Sequence, residues 1–390
     1  MPENEKTRAN LLLLGRSGTG KSEFINYILG NHIAQTGCGE PVTQGFRRYS
    51  HILTNGLPIT IYDSKGLEVD NLEKIAEKIY TIVKVKTQAN ILNDWFHAVF
   101  YFINLKRSRL EDTEKDLINK IHEITKQPVY IIITHCEAEG TKKEELMKRE
   151  VESIPGVATI FRINSVDYCS KKGERIPAFG KKEIEDALPA IIWENTSNKL
   201  SDYAANRLCQ ELKAKLILQR EKELANIEKM KIDKIKNMPE DQYIKHLFKN
   251  IGLILHEVAE KDHPMLELNI KHFKRLNESV SAVFYNISVN VMLNILFFVD
   301  LPWAELGEKI ENDVNSNIQE IIKNRDFFQT IINQIKQTIV PDICLREKRK
   351  LIAEVFYKEL NKAFVCHDLI ARYVYERLQS VKPEYIKRLE

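Results

Sequence analysis

Residues 10–30, NLLLLGRSGTGKSEFINYILG, decide the fold of the N-terminal half of this 390-residue chain. A leucine run leads into the loop GRSGTGKS, residues 15–22, and an amphipathic stretch follows it. This is a complete G-x-x-x-x-G-K-S motif in the strand, loop and helix context that it requires. Glycines let backbone N–H groups turn inward around a phosphate, and the N-terminal end of the following helix adds positive charge. The segment therefore predicts a phosphate-binding loop.

Each polar side chain of the loop has an expected role. Lys21 places a point charge beside the β- and γ-phosphates of a nucleotide, and Ser22 offers a hydroxyl to a bridging Mg²⁺ ion. For the Arg16 side chain, exposure to solvent is favoured over a phosphate contact. The predicted nucleotide-contacting residues of this segment are Gly15, Arg16, Ser17, Gly18, Thr19, Gly20, Lys21, Ser22 and Glu23.

Two segments downstream have the features of nucleotide-sensing switches. Thr43, in GEPVTQGFRRYS, lies where a threonine ligates Mg²⁺ only while the γ-phosphate is present, although an ordinary loop threonine fits equally well. LPITIYDSKGLEVD ends a strand with a D-x-x-G sequence, in which Asp63 would hold the metal through water and the Gly66 N–H would bond the γ-phosphate. An ordinary strand-end turn is the alternative. The predicted metal-binding residues are therefore Ser22, Thr43 and Asp63.

Two loops are candidates for reading the base. The strand PVYIIITH runs into Thr134, His135, Cys136 and Glu137, where a GTPase would carry N/T-K-x-D. The Glu137 carboxylate would accept hydrogen bonds from the guanine N1–H and amino groups, but a simple turn after a strand remains open. After the last strand, Ser165 and Val166 occupy the place of a loop that contacts the guanine oxygen.

The runs GRSGTGKSEFIN, GEPVTQ and YDSKGLE resemble the first three motifs of the TRAFAC-class GTPases, within the bacterial-type family known as HSR1-related or 50S ribosome-binding GTPases. The phosphate loop also resembles those of the septin-like and immune-associated GTPases. The resemblance covers roughly the first half of the chain. It implies a Ras-like α/β fold, GTP and GDP as substrate and product, and Mg²⁺ as cofactor, with catalytic positions at Lys21, Thr43 and Gly66.

Two departures from the family pattern affect the expected chemistry. Leu67 stands where Ras-like enzymes carry a glutamine that orients the attacking water, so intrinsic hydrolysis is expected to be slow. Gln44 is a candidate for positioning that water instead. Gly18 occupies the place where potassium-activated relatives carry asparagine, so activation by a monovalent cation is not expected.

The organisation of the chain changes near residue 195. From residue 10 onwards, short apolar runs alternate with amphipathic stretches, which predicts a mostly parallel sheet with helices on both faces. Beyond residue 195, glycines and β-type runs nearly vanish, and prolines at 239, 264, 302 and 341 divide this part of the chain into about five helices. We predict a tail at 1–9, a GTPase domain at 10–195 and an all-helical domain at 196–390.

The helical half contains two stretches of interest. Residues 279–299 carry no charge and are long enough to span a bilayer, but three asparagines line one face. A central bundle helix is favoured over a membrane-contacting or dimerising helix, and a true span is the weakest option. Residues 207–236 hold nine basic and five acidic side chains, which fits a solvated bundle helix better than a membrane-surface helix.

Composition narrows the class of protein further. A net charge of +3 gives no field that predicts nucleic-acid binding, and six scattered cysteines indicate neither zinc nor a disulfide framework. The N-terminus lacks the features of a signal peptide, so a cytoplasmic protein, or one peripheral at the inner membrane face, is expected.

Three functions remain open. The first is a Mg²⁺-dependent GTP-hydrolysing switch coupled to the helical domain. The second is a nucleotide-binding interaction module with little or no hydrolysis, and the third is a dynamin-like membrane-associated GTPase. The expected partners are a guanine nucleotide and, through the helical domain, a second copy of the chain or a protein effector, with peripheral membrane contact through 279–299 as a further option.

Overall fold

The computed structural model forms two compact units. The described residues up to Lys199, together with those in 264–278 and 382–387, form the first, and the remaining described residues from Leu200 onwards form the second. The described residues are 7–30, 40–42, 46–64, 72–107, 109–136, 141–169, 175–239, 242–243, 246–247, 249–250, 253–254, 257, 264–278, 345–363, 367–380, 382 and 384–387.

A seven-stranded sheet forms the centre of the first unit. The strand order is β2-β3-β4-β1-β5-β6-β7. Strands β4, β1, β5, β6 and β7 are parallel, whereas β2 and β3 form an antiparallel edge. The strands are β1 (Ala9–Gly15), β2 (Glu40–Val42), β3 (Phe46–Ile52), β4 (Pro58–Ser64), β5 (Ala98–Asn104), β6 (Val129–Thr134) and β7 (Val157–Arg162), and a separate pair consists of β8 (Tyr168–Cys169) and β9 (Arg175–Ile176).

The central strands are apolar on both faces because helices cover the sheet. Every residue of β1 and β6 is buried, and so are the first six residues of β5. Continuous apolar runs of this kind are typical of parallel strands covered on both faces. The predicted α/β fold with a mostly parallel sheet is confirmed.

Amphipathic helices alternate with the strands of the first unit, as the sequence predicts. They are α1 (Lys21–Leu29), α2 (Leu72–Thr87), α3 (Asp112–Thr125), α4 (Lys142–Glu152) and the start of α5 (Lys181–Lys229). Helix α5 continues without a break to Lys229, past residue 195, where the sequence predicts the end of the GTPase domain. The polar run that follows Trp193 is buried against the sheet: the Asn195 Nδ2 donates to the His97 carbonyl at 2.9 Å.

A proline lies inside α5 without ending it. Pro189 has no N–H to donate to the carbonyl of Glu185, four residues earlier. The Nδ2 of Asn55 donates to that carbonyl instead, at 3.0 Å. A side chain from the β3–β4 turn therefore replaces the hydrogen bond that the proline removes.

Beyond α5, the secondary structure of the described residues is entirely helical, as predicted. The further helices are α6 (Ile232–Lys236), α7 (Pro264–Glu278), α8 (Leu345–Ala363), α9 (His367–Ser380) and α10 (Glu384–Lys387). Helix α7 begins at one of the predicted proline breaks. Pro302, Pro341 and the uncharged stretch 279–299 lie outside the described residues. Among the helices described, none combines the length and apolar character needed to cross a bilayer.

Helix α7 is part of the first unit although 34 residues lie between the end of α5 at Lys229 and its own start at Pro264. The buried Asn269 accepts a hydrogen bond from the Leu92 N–H at 2.7 Å and donates to the Asn90 carbonyl at 2.8 Å. The rings of Phe273 and Trp193 pack with centroids 4.8 Å apart. One asparagine thus satisfies two main-chain groups of the segment that leads into β5.

A buried histidine lies at the amino end of β5. The side chain of His97 is 1% exposed, and its Nδ1 accepts a hydrogen bond from the Asn10 N–H at 2.9 Å. Burial lowers the pKa of His97 from 6.5 to about 3, with a smaller effect from the positive charges of Lys199 and Lys86. The folded protein therefore holds this imidazole neutral.

This burial predicts a loss of stability in acid. Between the unfolded pKa of 6.5 and the folded pKa of about 3, the unfolded chain binds a proton at His97 that the folded chain does not. The free energy of unfolding should fall by about 1.4 kcal/mol for each pH unit below 6.5 from this group alone. Urea unfolding at pH 7, 6 and 5 measures the slope, and the variant His97→Gln, which keeps an acceptor but does not titrate, should show a shallower one. Equal slopes would contradict the assignment.

Candidate functional site

The phosphate loop requires glycine at both of its ends. Gly15 has a φ of 143°, and a Cβ there would lie 2.8 Å from the carbonyl oxygen of Phe102 on β5. Gly20 caps the start of α1 with a φ of 84°, in the left-handed region that favours glycine. The loop can therefore approach the neighbouring strand closely and turn directly into the helix.

Lys21 lies inside the loop. Its Nζ donates to the carbonyls of Gly15 and Arg16 at 2.8 and 3.0 Å, and the residue is only 7% exposed. Burial lowers the pKa of the ammonium group, and the nearby Asp63 carboxylate partly offsets this effect. The positive charge is thus held at the centre of the loop by main-chain acceptors.

Neighbouring strands hold the other loop carbonyls. Asn104 at the end of β5 donates through Nδ2 to the Gly18 carbonyl at 3.0 Å. Thr134 at the end of β6 donates through its hydroxyl to the Thr19 carbonyl at 2.8 Å. The Thr134 side chain, predicted to contact the base, therefore bonds to the phosphate loop. Because side chains occupy these carbonyls, an anion can bind at the loop N–H groups. The Thr19 N–H is an exception, since it donates to the Arg16 carbonyl at 3.3 Å.

The loop lines an open cavity of about 410 Å³. Ser22 and Asp63, two of the predicted metal-binding residues, lie together on its wall. Gly15 and Arg16 do not line it, and Thr43, Gln44, Gly66 and Glu137 lie outside the described residues. The lining residues are Ser17, Gly18, Thr19, Gly20, Lys21, Ser22, Glu23, Arg47, Asp63 and Ser64.

Asp63 is the most perturbed group of the cavity. Its Oδ1 is buried and has no hydrogen-bond partner among the described residues. Burial raises the pKa of Asp63 to about 6, against the opposing charges of Lys21 and Arg47. A buried carboxylate oxygen without a partner is costly, and a hydrated cation is a group that would satisfy it. The donor set of Ser22 hydroxyl and Asp63 carboxylate is made of the hard oxygens that Mg²⁺ prefers.

Sequence reasoning missed Arg47, a second cation on the cavity wall. Arg47 lies on β3 directly opposite Asp63 in the antiparallel register with β4. Its sequence signal is weak because GFRRYSHIL contains two adjacent arginines that point to opposite faces. Only the strand register decides which of them faces Asp63.

Arg16 is buried rather than exposed, so the expectation of solvent exposure is wrong. The residue is 6% exposed, and its Nη1 forms ion pairs with Glu111 and, at 3.7 Å, with Glu114. Glu114 is itself fully buried and also accepts hydrogen bonds from Arg107 and from the Tyr101 hydroxyl, at 3.1 and 3.0 Å. The Arg16 side chain therefore ties the phosphate loop to the first turn of α3.

The loops after β6 and β7 adjoin each other, as a base-reading site requires. The Cys136 N–H donates to the Ile163 carbonyl at 3.3 Å, and Asn164 donates through Nδ2 to the Val166 carbonyl at 2.6 Å. His135 has a φ of 58°, and burial lowers the pKa of its imidazole. Val166 is half exposed, so its apolar side chain is accessible from solvent.

Together these features define a class of protein. A phosphate loop between β1 and α1, an aspartate at the end of the adjacent parallel strand and paired loops after β6 and β7 form a P-loop GTPase domain. Residues 9–159 match the model of the AIG1 family. The predicted resemblance to TRAFAC-class P-loop GTPases is confirmed, and AIG1, one of the families of that type, is the family that the comparison finds.

Plant proteins are among the relatives. The chain is 26% identical over 265 residues to immune-associated nucleotide-binding protein 13 of Arabidopsis thaliana, covering 66% of this chain and 75% of that protein. It is 27% identical over 125 residues to immune-associated nucleotide-binding protein 1 of the same plant, covering 32% of this chain and 53% of that protein.

Among solved structures, Toc33 from Arabidopsis thaliana in complex with GDP and Mg²⁺ matches 48% of this chain and 84% of its own length. The sequence identity is 16% and the TM-score is 0.34. Values of this size carry no information about function.

The position of Arg16 generates a test by double-mutant cycle. Arg16→Met should lower the free energy of unfolding by about 2 kcal/mol, because it leaves the buried Glu114 carboxylate with fewer donors. In combination with Glu114→Gln the losses should fall short of their sum by about 1 kcal/mol or more. Arg149→Met, at an exposed arginine on α4, is the matched control and should change stability by under about 0.5 kcal/mol. Additive losses would show that the two side chains are not coupled.

Proposed function

We propose that this chain binds GTP with Mg²⁺ and hydrolyses it slowly, as a switch coupled to its helical half. The observation that carries the proposal is the buried, unpartnered Oδ1 of Asp63 on the same cavity wall as Lys21 and Ser22. A carboxylate in that position needs a cation, and a phosphate loop needs an anion. A magnesium-bound nucleotide supplies both.

The phosphate end of the nucleotide would lie against the loop. Its N–H groups would bind the phosphate oxygens, and the Lys21 ammonium would exchange the Gly15 and Arg16 carbonyls for the β- and γ-phosphates. The Ser22 hydroxyl would ligate Mg²⁺ directly, and Asp63 would hold it through water. Thr43 and Gly66 are proposed to complete the site when the γ-phosphate is present.

The base would lie over the loops that follow β6 and β7. Glu137 is the proposed acceptor for the guanine N1–H and amino groups, with His135 beside the ring. Ser165 and Val166 are the proposed contacts on the other side. Since the Thr134 hydroxyl is bonded to Thr19, the contribution of Thr134 is to join this base site to the phosphate loop.

Slow turnover follows from Leu67, because an aliphatic side chain cannot orient the attacking water. Gln44 is the candidate to do so. The same leucine is the observation that favours a second function, a nucleotide-binding interaction module without hydrolysis. Phosphate release from GTP in single turnover distinguishes the two, since the module predicts no release above that of Lys21→Ala.

In the proposed switch, the helical half contacts the effector. Release of the γ-phosphate would free the segments around Thr43 and Gly66, and the helical residues would pass that change to a protein effector or a second copy of the chain. A dynamin-like action on membranes is the remaining alternative, and a cytoplasmic or membrane-peripheral location is proposed with it.

The choice of nucleotide is tested by calorimetric titration of nucleotide-free protein with GDP, GTP-γ-S and ADP in the presence of Mg²⁺. Guanine nucleotides should bind at micromolar Kd or tighter, and ADP should not bind. Lys21→Ala should weaken guanine-nucleotide binding by about 100-fold, since a charge-assisted contact contributes about 1.5 to 3 kcal/mol. Equal binding of guanine and adenine nucleotides would reject the base site proposed at His135 and Glu137.

The metal role of Asp63 is tested by the pH dependence of Mg²⁺ binding. Because its pKa is raised to about 6, the carboxyl must lose a proton before it can hold a hydrated cation, so Mg²⁺ should bind more tightly to the GDP complex as pH rises from 5.5 to 7.5. Asp63→Asn should weaken Mg²⁺ binding at pH 7.5 and remove most of this pH dependence. Glu145→Gln, at an exposed carboxylate on α4, is the control and should leave both unchanged.

A further inference from the structure

One end of the second unit combines positive charge with exposed apolar side chains. We call it the basic tip and define it as residues 228–236, where α5 turns into α6, together with residues 345–350, the start of α8. The two segments form one surface. Arg346 donates through Nη2 to the Met230 carbonyl at 2.9 Å, and Arg349 donates through Nη2 to the Ile235 carbonyl at 3.0 Å.

The charge of the basic tip exceeds that of the whole chain. Its 15 residues hold eight basic side chains and three acidic ones, against a net charge of +3 for all 390 residues. Glu228 and Glu347 both pair with the same cation, Lys350. The net charge of these 15 residues is +5, which is a strong local concentration of positive charge.

The outward-facing charges are lysines. Lys229, Lys231, Lys234 and Lys236 are all exposed, and no ion pair joins any of them to another described residue of the chain. The guanidinium groups of Arg346 and Arg349 are turned inward to main-chain carbonyls. The surface therefore presents separate, flexible ammonium groups rather than planar guanidinium groups that recognise a ligand of fixed geometry.

Two large apolar side chains project from the same surface. Ile232 is 58% exposed between Lys231 and Lys234, and Leu345 at the start of α8 is 45% exposed. Neither packs into a core, so the folded protein gains little from their apolar character. An apolar side chain flanked by lysines fits the boundary between the charged headgroups and the acyl chains of a membrane.

A buried arginine holds the backbone of the basic tip in place. Arg349 is 5% exposed, its guanidinium lies 4.6 Å from the centroid of the Tyr243 ring, and it contacts the Met238 carbonyl as well as that of Ile235. This buried arginine fixes the turn after α6 against α8. Ile232 and its neighbouring lysines are therefore presented by a fixed backbone.

We propose that the basic tip binds the surface of an anionic membrane, with the lysines at the lipid phosphates and carboxylates and with Ile232 and Leu345 inserted between headgroups. Nucleic acid is the poorer fit, because the tip exposes no aromatic ring for stacking and its arginines are engaged. The basic tip belongs to the second unit, whereas the phosphate loop belongs to the first.

The test is co-sedimentation of the full chain with vesicles of phosphatidylcholine alone or with roughly 30% phosphatidylserine. Binding should need the anionic lipid and should fall steeply between 0.1 and 0.5 M salt, as screening shortens the range of the field. Lys231→Gln combined with Lys234→Gln should weaken the partition coefficient by about 25-fold, since each lysine near such a surface contributes about fivefold.

A matched control separates the basic tip from charge in general. Lys213→Gln combined with Lys222→Gln removes two exposed lysines from the same helix, away from the tip, and should change binding by under about threefold. Ile232→Ser keeps every charge and should still weaken binding by about fivefold through lost insertion. Nucleotide titration of each variant, as described for the GTPase site, shows that the first unit is intact.

Three results would overturn the proposal. The first is that the full chain fails to sediment with anionic vesicles at low salt, and the second is that the control pair loses as much binding as the tip pair. The third is that Ile232→Ser binds vesicles as well as the unmodified chain while heparin competes fully for the site. That last outcome would assign the surface to a soluble polyanion or acidic protein instead.

Discussion

The first unit depends on how the carbonyl groups of one eight-residue loop are satisfied. A chain that turns sharply out of a buried strand exposes carbonyls and N–H groups together, and an anion can bind only if the carbonyls are occupied by other donors. Lys21, Asn104 and Thr134 provide those donors from α1, β5 and β6. The order of the strands matters for this reason, since the neighbours of β1 must end where the loop needs them.

The features predicted from the sequence are those that depend on neighbours along the chain. Strands β1, β5 and β6 are runs of apolar residues, and the phosphate loop is a local motif, so both could be read directly. The burial of Arg16 could not be predicted, because its partners Glu111 and Glu114 lie about 95 residues away in the sequence. Nor could the continuation of α5 past residue 195 be predicted from local sequence, because the polar run there is buried and Asn55 satisfies the carbonyl left by Pro189.

The basic surface of the helical half could not be predicted from the sequence for a related reason. The total charge of +3 predicts no nucleic-acid binding, and the nine basic and five acidic residues of 207–236 fit a solvated bundle helix better than a membrane-surface helix. The structure brings the end of that stretch against the start of α8, more than 100 residues further on. Two of the three acidic groups there pair with Lys350, while four lysines form no ion pair with another described residue. Net charge is a sum over the chain, whereas a binding surface depends on which charges share one face.

Helix α7 has a consequence for the order in which the protein is made. Leu92, Asn90 and Trp193 are synthesised early, yet Asn269 and Phe273, which satisfy and cover them, leave the ribosome only some 75 residues after Trp193. While part of the second unit is being translated, the Leu92 N–H therefore lacks the Asn269 acceptor and the Trp193 indole lacks the covering Phe273 ring. A chain released before residue 278 would carry all of its nucleotide motifs and still lack a complete GTPase domain.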